Sequence, residues 1–106
     1  MINSKNANVA MGRQGVANAI ETCRIVGTEL GISPYDVLPF STGVIGRPLP
    51  MDRIRAGLKG IGKELKPDNL KLAAEAIMTT DMYPKYIFCQ VGSAVIAGIA
   101  KGAGLI

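Results

Sequence analysis

Apolar residues recur at helical spacing in three parts of this 106-residue chain. From about Gln14 to Leu30 they fall three and four positions apart, which predicts an amphipathic helix that ends at Gly31. The residues of the predicted apolar stripe are Val16, Ala19, Ile20, Cys23, Gly27 and Leu30. Residues 51–65 and 67–77 carry the same spacing and predict two further helices.

Strand patterns occur after the third predicted helix and between the first two. Residues 86–91 and 94–100 are rich in β-branched and aromatic residues and predict two strands, and Gly92-Ser93 fits a tight connection between them. The apolar run 37–40 contains Pro39, which predicts an edge strand or a strand end. Together these elements predict an α/β fold with helices layered on a mixed sheet. The length allows one small domain at most.

Composition narrows the class of protein. Hydrophobic residues make up 48% of the chain and charged residues 19%, which is too apolar for a disordered chain. No histidine is present, so His-dependent catalytic triads and His metal sites are excluded within this chain. The two cysteines favour a reducing, cytoplasmic setting. No apolar stretch reaches the roughly 20 residues of a membrane-spanning helix, so no membrane partner is expected.

Several polar patterns carry only weak signals. Residues 57–63 match the G-x-x-x-x-G-K part of a phosphate-binding loop, but Glu64 stands where Ser or Thr is needed, so a glycine-bearing packed helix is preferred. The basic stretch 59–71 lacks aromatic platforms, so no nucleic-acid partner is expected. The aspartates fit cap and turn positions rather than a paired-carboxylate site; they are Asp36, Asp52, Asp68 and Asp81.

Two segments carry candidate chemistry. In residues 41–46, a Ser-Thr pair and two glycines can aim the Thr42 hydroxyl and a backbone N–H at one point, as an oxyanion hole requires. An ordinary glycine turn is the simpler interpretation of the same residues. Lys101, flanked by small residues after the last strand, can present its ammonium group to an anionic ligand. The simpler interpretation there is a surface lysine at a strand end.

Four blocks of sequence, taken in order, resemble one family. They are NSKNAN (3–8), STGVIG (41–46) with LPMD (49–52), AIMTTD (76–81) with Pro84-Lys85, and GIAKGAGLI (98–106). The chain resembles, over essentially its whole length, the bifunctional ornithine acetyltransferase / N-acetylglutamate synthase family of arginine biosynthesis.

The resemblance implies an N-terminal-nucleophile-like acetyltransferase fold and a precursor that cuts itself before a threonine. That threonine, the first residue of the β chain, takes the acetyl group from N-acetylornithine and passes it to glutamate. Bifunctional members also accept acetyl-CoA as a substrate, and no cofactor or metal is used. The implied partner is the β chain of the same precursor, in an α2β2 heterotetramer.

Carried over position by position, the resemblance implies roles for individual residues. The Thr42 hydroxyl and the Gly43 N–H would form the oxyanion hole. Thr80, with Thr79 as the second choice, matches a substrate-contacting threonine. Lys101 matches a lysine that holds a substrate carboxylate or neighbouring polar groups.

The same resemblance predicts that residues 1–106 are a single partial domain, a segment of the α chain. The family sequence continues from the block around Lys101 to the cleavage site, so the chain is expected to lack the nucleophile and to be inactive alone. One alternative is a non-catalytic remnant that only binds or assembles. Another is a related N-terminal-nucleophile hydrolase or aminopeptidase, against which the LPMD and TTD–PK blocks argue.

Overall fold

The computed structural model describes residues 1–102 and divides the chain into two units, Met1–Leu65 and a second one that begins at Lys66. Each unit holds a two-stranded sheet, parallel in the first and antiparallel in the second. The α/β class is therefore confirmed, although in residues 1–102 the two kinds of pairing occupy separate sheets rather than one mixed sheet. The single partial domain expected over residues 1–106 stays a prediction.

Helix α1, Gly12–Leu30, begins and ends close to its predicted limits. Gly31 takes the left-handed conformation, with φ 67°, and its N–H donates to the Thr28 carbonyl. The next N–H, of Ile32, donates to the Gly27 carbonyl at 3.0 Å. These two bonds satisfy carbonyl groups that the end of a helix leaves without partners, as the glycine predicted.

The buried face of α1 coincides with only the C-terminal part of the predicted apolar stripe. Val16 and Ile20 are 61% and 47% exposed, whereas Asn18 and Thr22 are buried. The Thr22 hydroxyl donates to the Asn18 carbonyl at 2.8 Å, and the Gln14 amide donates to Asn18 Oδ1 at 2.9 Å. Burial of this polar face is tolerated because its groups find partners within the helix.

The first sheet pairs strand β1, Ile2–Asn3, with strand β2, Phe40–Ser41, in parallel register. Helix α1 lies between the two strands in sequence, so the three elements form a β–α–β unit. The crossover is long enough to join two parallel strands. A further bridge joins Asn6 to Val44 beyond the strand ends. The apolar run 37–40 thus contributes only its last residue to a strand.

Helix α2, Met51–Leu58, is shorter than the predicted helix over 51–65. Gly60 takes the left-handed conformation, with φ 76°, and the chain continues as a 3-10 turn over Ile61–Lys63. The helix ends at Leu58 because Lys59 is extended, with φ −62° and ψ 118°. The left-handed backbone of Gly60 that follows cannot resume a right-handed helix. A core of Val26, Val37 and Leu58 packs this part of the unit together.

The second unit contains helix α3, Leu70–Ala76, and strands β3, Lys85–Val91, and β4, Ala94–Ala100. The strands pair antiparallel from Lys85 opposite Ala100 to Val91 opposite Ala94, which confirms the predicted hairpin. No helix among residues 1–102 combines the length and the apolar character that crossing a membrane needs.

Gly27 of α1 is predicted not to tolerate a side chain. An ideal Cβ there would lie 2.9 Å from the Ile32 carbonyl oxygen and 3.1 Å from the Pro34 nitrogen, both backbone atoms. Gly27→Ala is expected to lower the free energy of unfolding by about 1–3 kcal/mol, measured by urea denaturation. Gly57→Ala in α2 is the matched control: its Cβ would meet no atom within 4 Å, so a gain of about 0.5–1 kcal/mol is expected. Equal effects at both positions would contradict this assignment.

Candidate active site

The residues proposed from the sequence fall into both units. Thr42 and Gly43 lie in the first unit, directly after β2. Thr80 and Lys101 lie in the second, before β3 and after β4. The block that contains Lys101 is described as far as Gly102, and its remainder, residues 103–106, lies outside the described residues.

Main-chain pairing holds the segment around Thr42 and Gly43. The N–H groups of residues 40, 42 and 44 donate to the carbonyls of residues 1, 3 and 5 at 2.9, 3.1 and 3.1 Å. The Ala7 N–H returns a bond to the Val44 carbonyl at 2.9 Å. None of the hydrogen bonds within residues 1–102 uses the N–H of Gly43. The Gly43 N–H is therefore available to donate a hydrogen bond to an acceptor that does not belong to residues 1–102.

Only glycine fits at position 43. Its φ is 130°, and an ideal Cβ would overlap the Lys5 carbonyl group and lie 2.6 Å from the Asn6 nitrogen. Lys5 itself has φ 73°, a left-handed conformation that costs a non-glycine residue about 1 kcal/mol. Glycine adopts a positive φ without steric strain, so of these two residues only Lys5 is strained. The close approach of the two backbones fixes the local shape of the turn.

Three buried polar atoms in these paired segments have no hydrogen-bond partner within residues 1–102. They are Thr42 Oγ1, Asn6 Oδ1 and Asn8 Oδ1. Leaving a buried polar group without a partner costs about 1–3 kcal/mol, so such groups are uncommon and often serve a function. Thr42 Oγ1 is the one that a hydroxyl-based oxyanion site would use.

Asn8 ties this segment to the helix. The Asn8 N–H donates to Ser41 Oγ at 2.7 Å, and the Asn8 side-chain amide donates to the Gly15 carbonyl at 2.8 Å. A cavity of about 130 Å³ beside Ser41 has Asn3, Asn8 and Thr22 among its lining residues. The turn that carries Thr42 is thus fixed to the first turns of α1 as well as to β1.

In the second unit, Lys101 contacts Thr79 rather than Thr80. Lys101 Nζ donates to Thr79 Oγ1 at 2.6 Å and to the Gly102 carbonyl at 3.1 Å. Thr79 is partly buried, whereas Thr80 is exposed. The substrate contact expected of Thr80 stays a prediction, and the second choice, Thr79, is the threonine that Lys101 reaches.

Asp81 organises the surroundings of these two residues. Its side chain has no solvent-exposed surface and accepts hydrogen bonds from Lys85 Nζ, the Gly102 N–H and the Thr79 N–H. The bond from Lys85 is the largest cause that lowers the pKa of the Asp81 carboxyl to about 2, and the two backbone N–H groups act in the same direction.

Sequence reasoning assigned Asp81 to a turn and missed this role. A signal was present, because Lys85 follows Asp81 at a distance of four residues in the TTD–PK block. That spacing does not reveal the third donor, since Gly102 is distant in the sequence and arrives only through the hairpin. Within residues 1–102, no group of three or more His, Cys, Asp or Glu side chains is arranged to hold a metal ion.

Comparison with known proteins decides the family. The model of the ArgJ family matches residues 1–106, the whole chain. The chain belongs to the ArgJ family. The family resemblance drawn from the four sequence blocks is thereby confirmed.

Curated ArgJ proteins match the chain along its full length. It is 50% identical to arginine biosynthesis bifunctional protein ArgJ 2 of Nostoc sp. over 106 residues, which are 100% of this chain and 27% of that protein. It is 47% identical over 111 residues to arginine biosynthesis bifunctional protein ArgJ of Geobacter sulfurreducens, covering 100% of this chain and 28% of that protein. The chain thus spans about a quarter of the length of the curated relatives it matches.

Solved ArgJ structures share the fold. The ornithine acetyltransferase of Mycobacterium tuberculosis, solved in complex with ornithine, matches with a TM-score of 0.91 and 34% identity over 99% of this chain and 58% of that one. ArgJ of Bacillus halodurans matches with a TM-score of 0.82 and 34% identity over 99% of this chain and 57% of that one. The α/β arrangement of this chain is therefore that of ArgJ proteins.

Gly43→Ala is expected to be much more harmful than Gly46→Ala. Both glycines have positive φ, but an ideal Cβ at Gly46 meets no atom within 4 Å, whereas at Gly43 it overlaps backbone. Gly46→Ala should cost about 1 kcal/mol of unfolding free energy through backbone strain alone. Gly43→Ala should cost at least about 3 kcal/mol, because overpacking adds to the same strain. Urea denaturation of the two variants checks the difference, and a Gly43→Ala variant as stable as Gly46→Ala would refute the close approach.

Acid is expected to weaken the second unit through Asp81. Its folded-state pKa of about 2 lies below the ordinary value of 3.8, so the folded state binds fewer protons than the unfolded state in this range. The stabilising contribution is complete above about pH 5 and is lost as the pH falls towards 2. Urea midpoints measured from pH 7 to pH 2 should fall in that window.

Asp81→Asn should flatten the same part of the curve, because the amide does not titrate. Asp68→Asn is the matched control, since Asp68 is exposed and should leave the acid limb of the wild-type curve in place. An unchanged acid limb in Asp81→Asn would show that another group is responsible.

Proposed function

We propose that this chain forms part of the active site of an acetyltransferase of arginine biosynthesis that moves an acetyl group from N-acetylornithine to glutamate. The observation that carries the proposal is the pair of unused donors at residues 42 and 43. Thr42 Oγ1 is buried without a partner, and the adjacent Gly43 N–H makes no hydrogen bond within residues 1–102. Two adjacent donors held in a fixed turn suit an oxygen that gains negative charge.

In the proposed reaction, the oxyanion forms when a threonine hydroxyl attacks the acetyl carbonyl carbon of N-acetylornithine. The Thr42 hydroxyl and the Gly43 N–H donate to that oxygen. The tetrahedral intermediate then releases the ornithine amine, which leaves with a proton, and an acetyl-threonine ester remains. The glutamate amine attacks the ester in turn, and the threonine hydroxyl is restored. The nucleophile is the first residue of the β chain, supplied from outside residues 1–106.

Lys101 would supply the positive charge that holds a substrate carboxylate. Its ammonium group already lies against Thr79 Oγ1, so a hydroxyl and a cation are presented together. A cation beside a hydroxyl donor suits the carboxylate of an amino-acid substrate. Thr79 is therefore preferred to Thr80 for the substrate contact.

We propose a β chain of the same precursor as the partner, released by autocatalytic cleavage and assembled as an α2β2 heterotetramer. The exposed hairpin supports the need for a partner, because Ile87, Phe88 and Val95 are 71, 69 and 67% exposed. Apolar strands of this kind are stable when other parts of a protein cover them. The chain alone would accordingly be inactive.

We also propose that acetyl-CoA serves as a second acetyl donor and that the protein is located in the cytoplasm.

The oxyanion assignment is tested with Thr42→Ala in the chain co-expressed with the rest of a full-length ArgJ polypeptide. The kcat for acetyl transfer from N-acetylornithine to glutamate is expected to fall about 10²–10³-fold, because one oxyanion donor is lost. Thr42→Ser keeps the hydroxyl and should retain most of the activity. Thr28→Ala, at an exposed position of α1, is the matched control for a Thr→Ala change.

The outcomes separate the candidate functions. Full activity of Thr42→Ala would remove Thr42 from the oxyanion hole. A wild-type complex that assembles but transfers no acetyl group would favour the non-catalytic remnant instead.

A further inference from the structure

We propose that Asp81 is a positioning residue that sets Lys101 and Thr79 relative to each other. Asp81 does not itself contact the substrate in this proposal. The inference rests on the proposed function in one respect, the assignment of Lys101 and Thr79 to substrate binding. The contacts that carry it are independent of that assignment.

The Asp81 carboxylate is unusually placed for an acidic group. Its side chain is 0% exposed, whereas the side chain of its ion-pair partner Lys85 is 37% exposed. A buried carboxylate must be compensated by charge and hydrogen bonds, because burial alone disfavours the ionised form. Three donors within the second unit supply that compensation.

Two of the three donors belong to the segments that carry the site. One is the N–H of Thr79, at 3.4 Å, and another is the N–H of Gly102, the residue that follows Lys101. Thr79 lies shortly after α3, and Lys101 follows the last residue of β4. The carboxylate therefore joins two stretches of chain that are distant in the sequence.

The contact between Lys101 Nζ and Thr79 Oγ1 at 2.6 Å closes a ring. From Asp81 the ring runs through the Thr79 N–H, the Thr79 hydroxyl and the Lys101 ammonium to the Gly102 N–H and back to the carboxylate. Gly102 packs closely on this group, since an ideal Cβ there would lie 3.1 Å from Asp81 Cγ. A shift of either segment would change the place of the Lys101 ammonium.

Lys85 has a different part in the network. Its ammonium donates to Asp81 and lies 5.2 Å from the centroid of the Tyr83 ring, but it bonds to neither Thr79 nor Lys101. Lys85 therefore balances the buried charge without linking the two segments. This difference supplies a control that separates positioning from simple stabilisation.

The test compares Asp81→Asn with Lys85→Gln in the chain co-expressed with the rest of a full-length ArgJ polypeptide. The asparagine keeps the size of the side chain but replaces one acceptor oxygen with a donor that faces other donors. KM for N-acetylornithine is expected to rise about 10-fold or more, with kcat changed much less, because a misplaced cation weakens binding. Lys85→Gln should lower the urea midpoint and leave KM within about 2-fold of wild type.

Gly102→Ala is a second variant in case Asp81→Asn does not fold. It crowds the carboxylate while leaving its charge in place, and the same rise in KM is expected. Hydrogen–deuterium exchange of the peptide over residues 96–102 provides a readout that needs no activity. Exchange of the Gly102 N–H should be faster in Asp81→Asn than in Lys85→Gln.

Each result has one meaning. If Asp81→Asn and Lys85→Gln change KM equally, or if neither does, Asp81 is only structural and the proposal is overturned. If the wild-type complex is inactive while the exchange difference is present, the proposed function has failed and the positioning contact stands. If the exchange difference is absent as well, both have failed.

Discussion

The parallel pairing of the first residues with the segment after Pro39 is the interaction on which the first unit depends. Its hydrogen bonds join residues 1–7 to residues 40–44, so the helix between them must return the chain to the same sheet. A helical crossover is the ordinary way to connect parallel strands. Because Thr42 and Gly43 lie inside this pairing, their geometry is set by residues almost forty positions earlier in the chain.

That geometry has a thermodynamic cost. Lys5 holds a left-handed conformation, position 43 accepts only glycine, and Thr42 Oγ1 is buried without a partner. The Lys5 conformation and the unpartnered Thr42 hydroxyl each destabilise the folded chain by an amount on the order of 1 kcal/mol. Gly43 adopts its positive φ without strain and restricts only which residue can stand there. Such features persist where the surrounding structure determines them and a function uses them. Their occurrence at adjacent backbones is the strongest physical argument that this turn is more than a connection.

Local patterns in the sequence predicted most of the elements but not how they pack. The end of α1 and the β3–β4 hairpin follow from Gly31 and Gly92, whose effects act on neighbouring residues alone. In the N-terminal part of α1 the predicted buried face was wrong, because periodicity measures apolarity, whereas Asn18 and Thr22 are buried through hydrogen bonds within the helix. Asp81 was missed for a related reason. Its role depends on Gly102, which only the hairpin brings close.

The two groups of candidate residues, one in each unit, are held by different physical forces. The contacts that fix Thr42 use backbone groups together with Ser and Asn side chains, none of which titrates. The contacts around Lys101 depend on a buried carboxylate and two ammonium groups. Hydrogen bonds between neutral groups are insensitive to pH, whereas charge-assisted bonds are stronger but conditional on ionisation. The contacts around Thr42 are therefore insensitive to pH, whereas those around Lys101 are strong at neutral pH and weakened by acid.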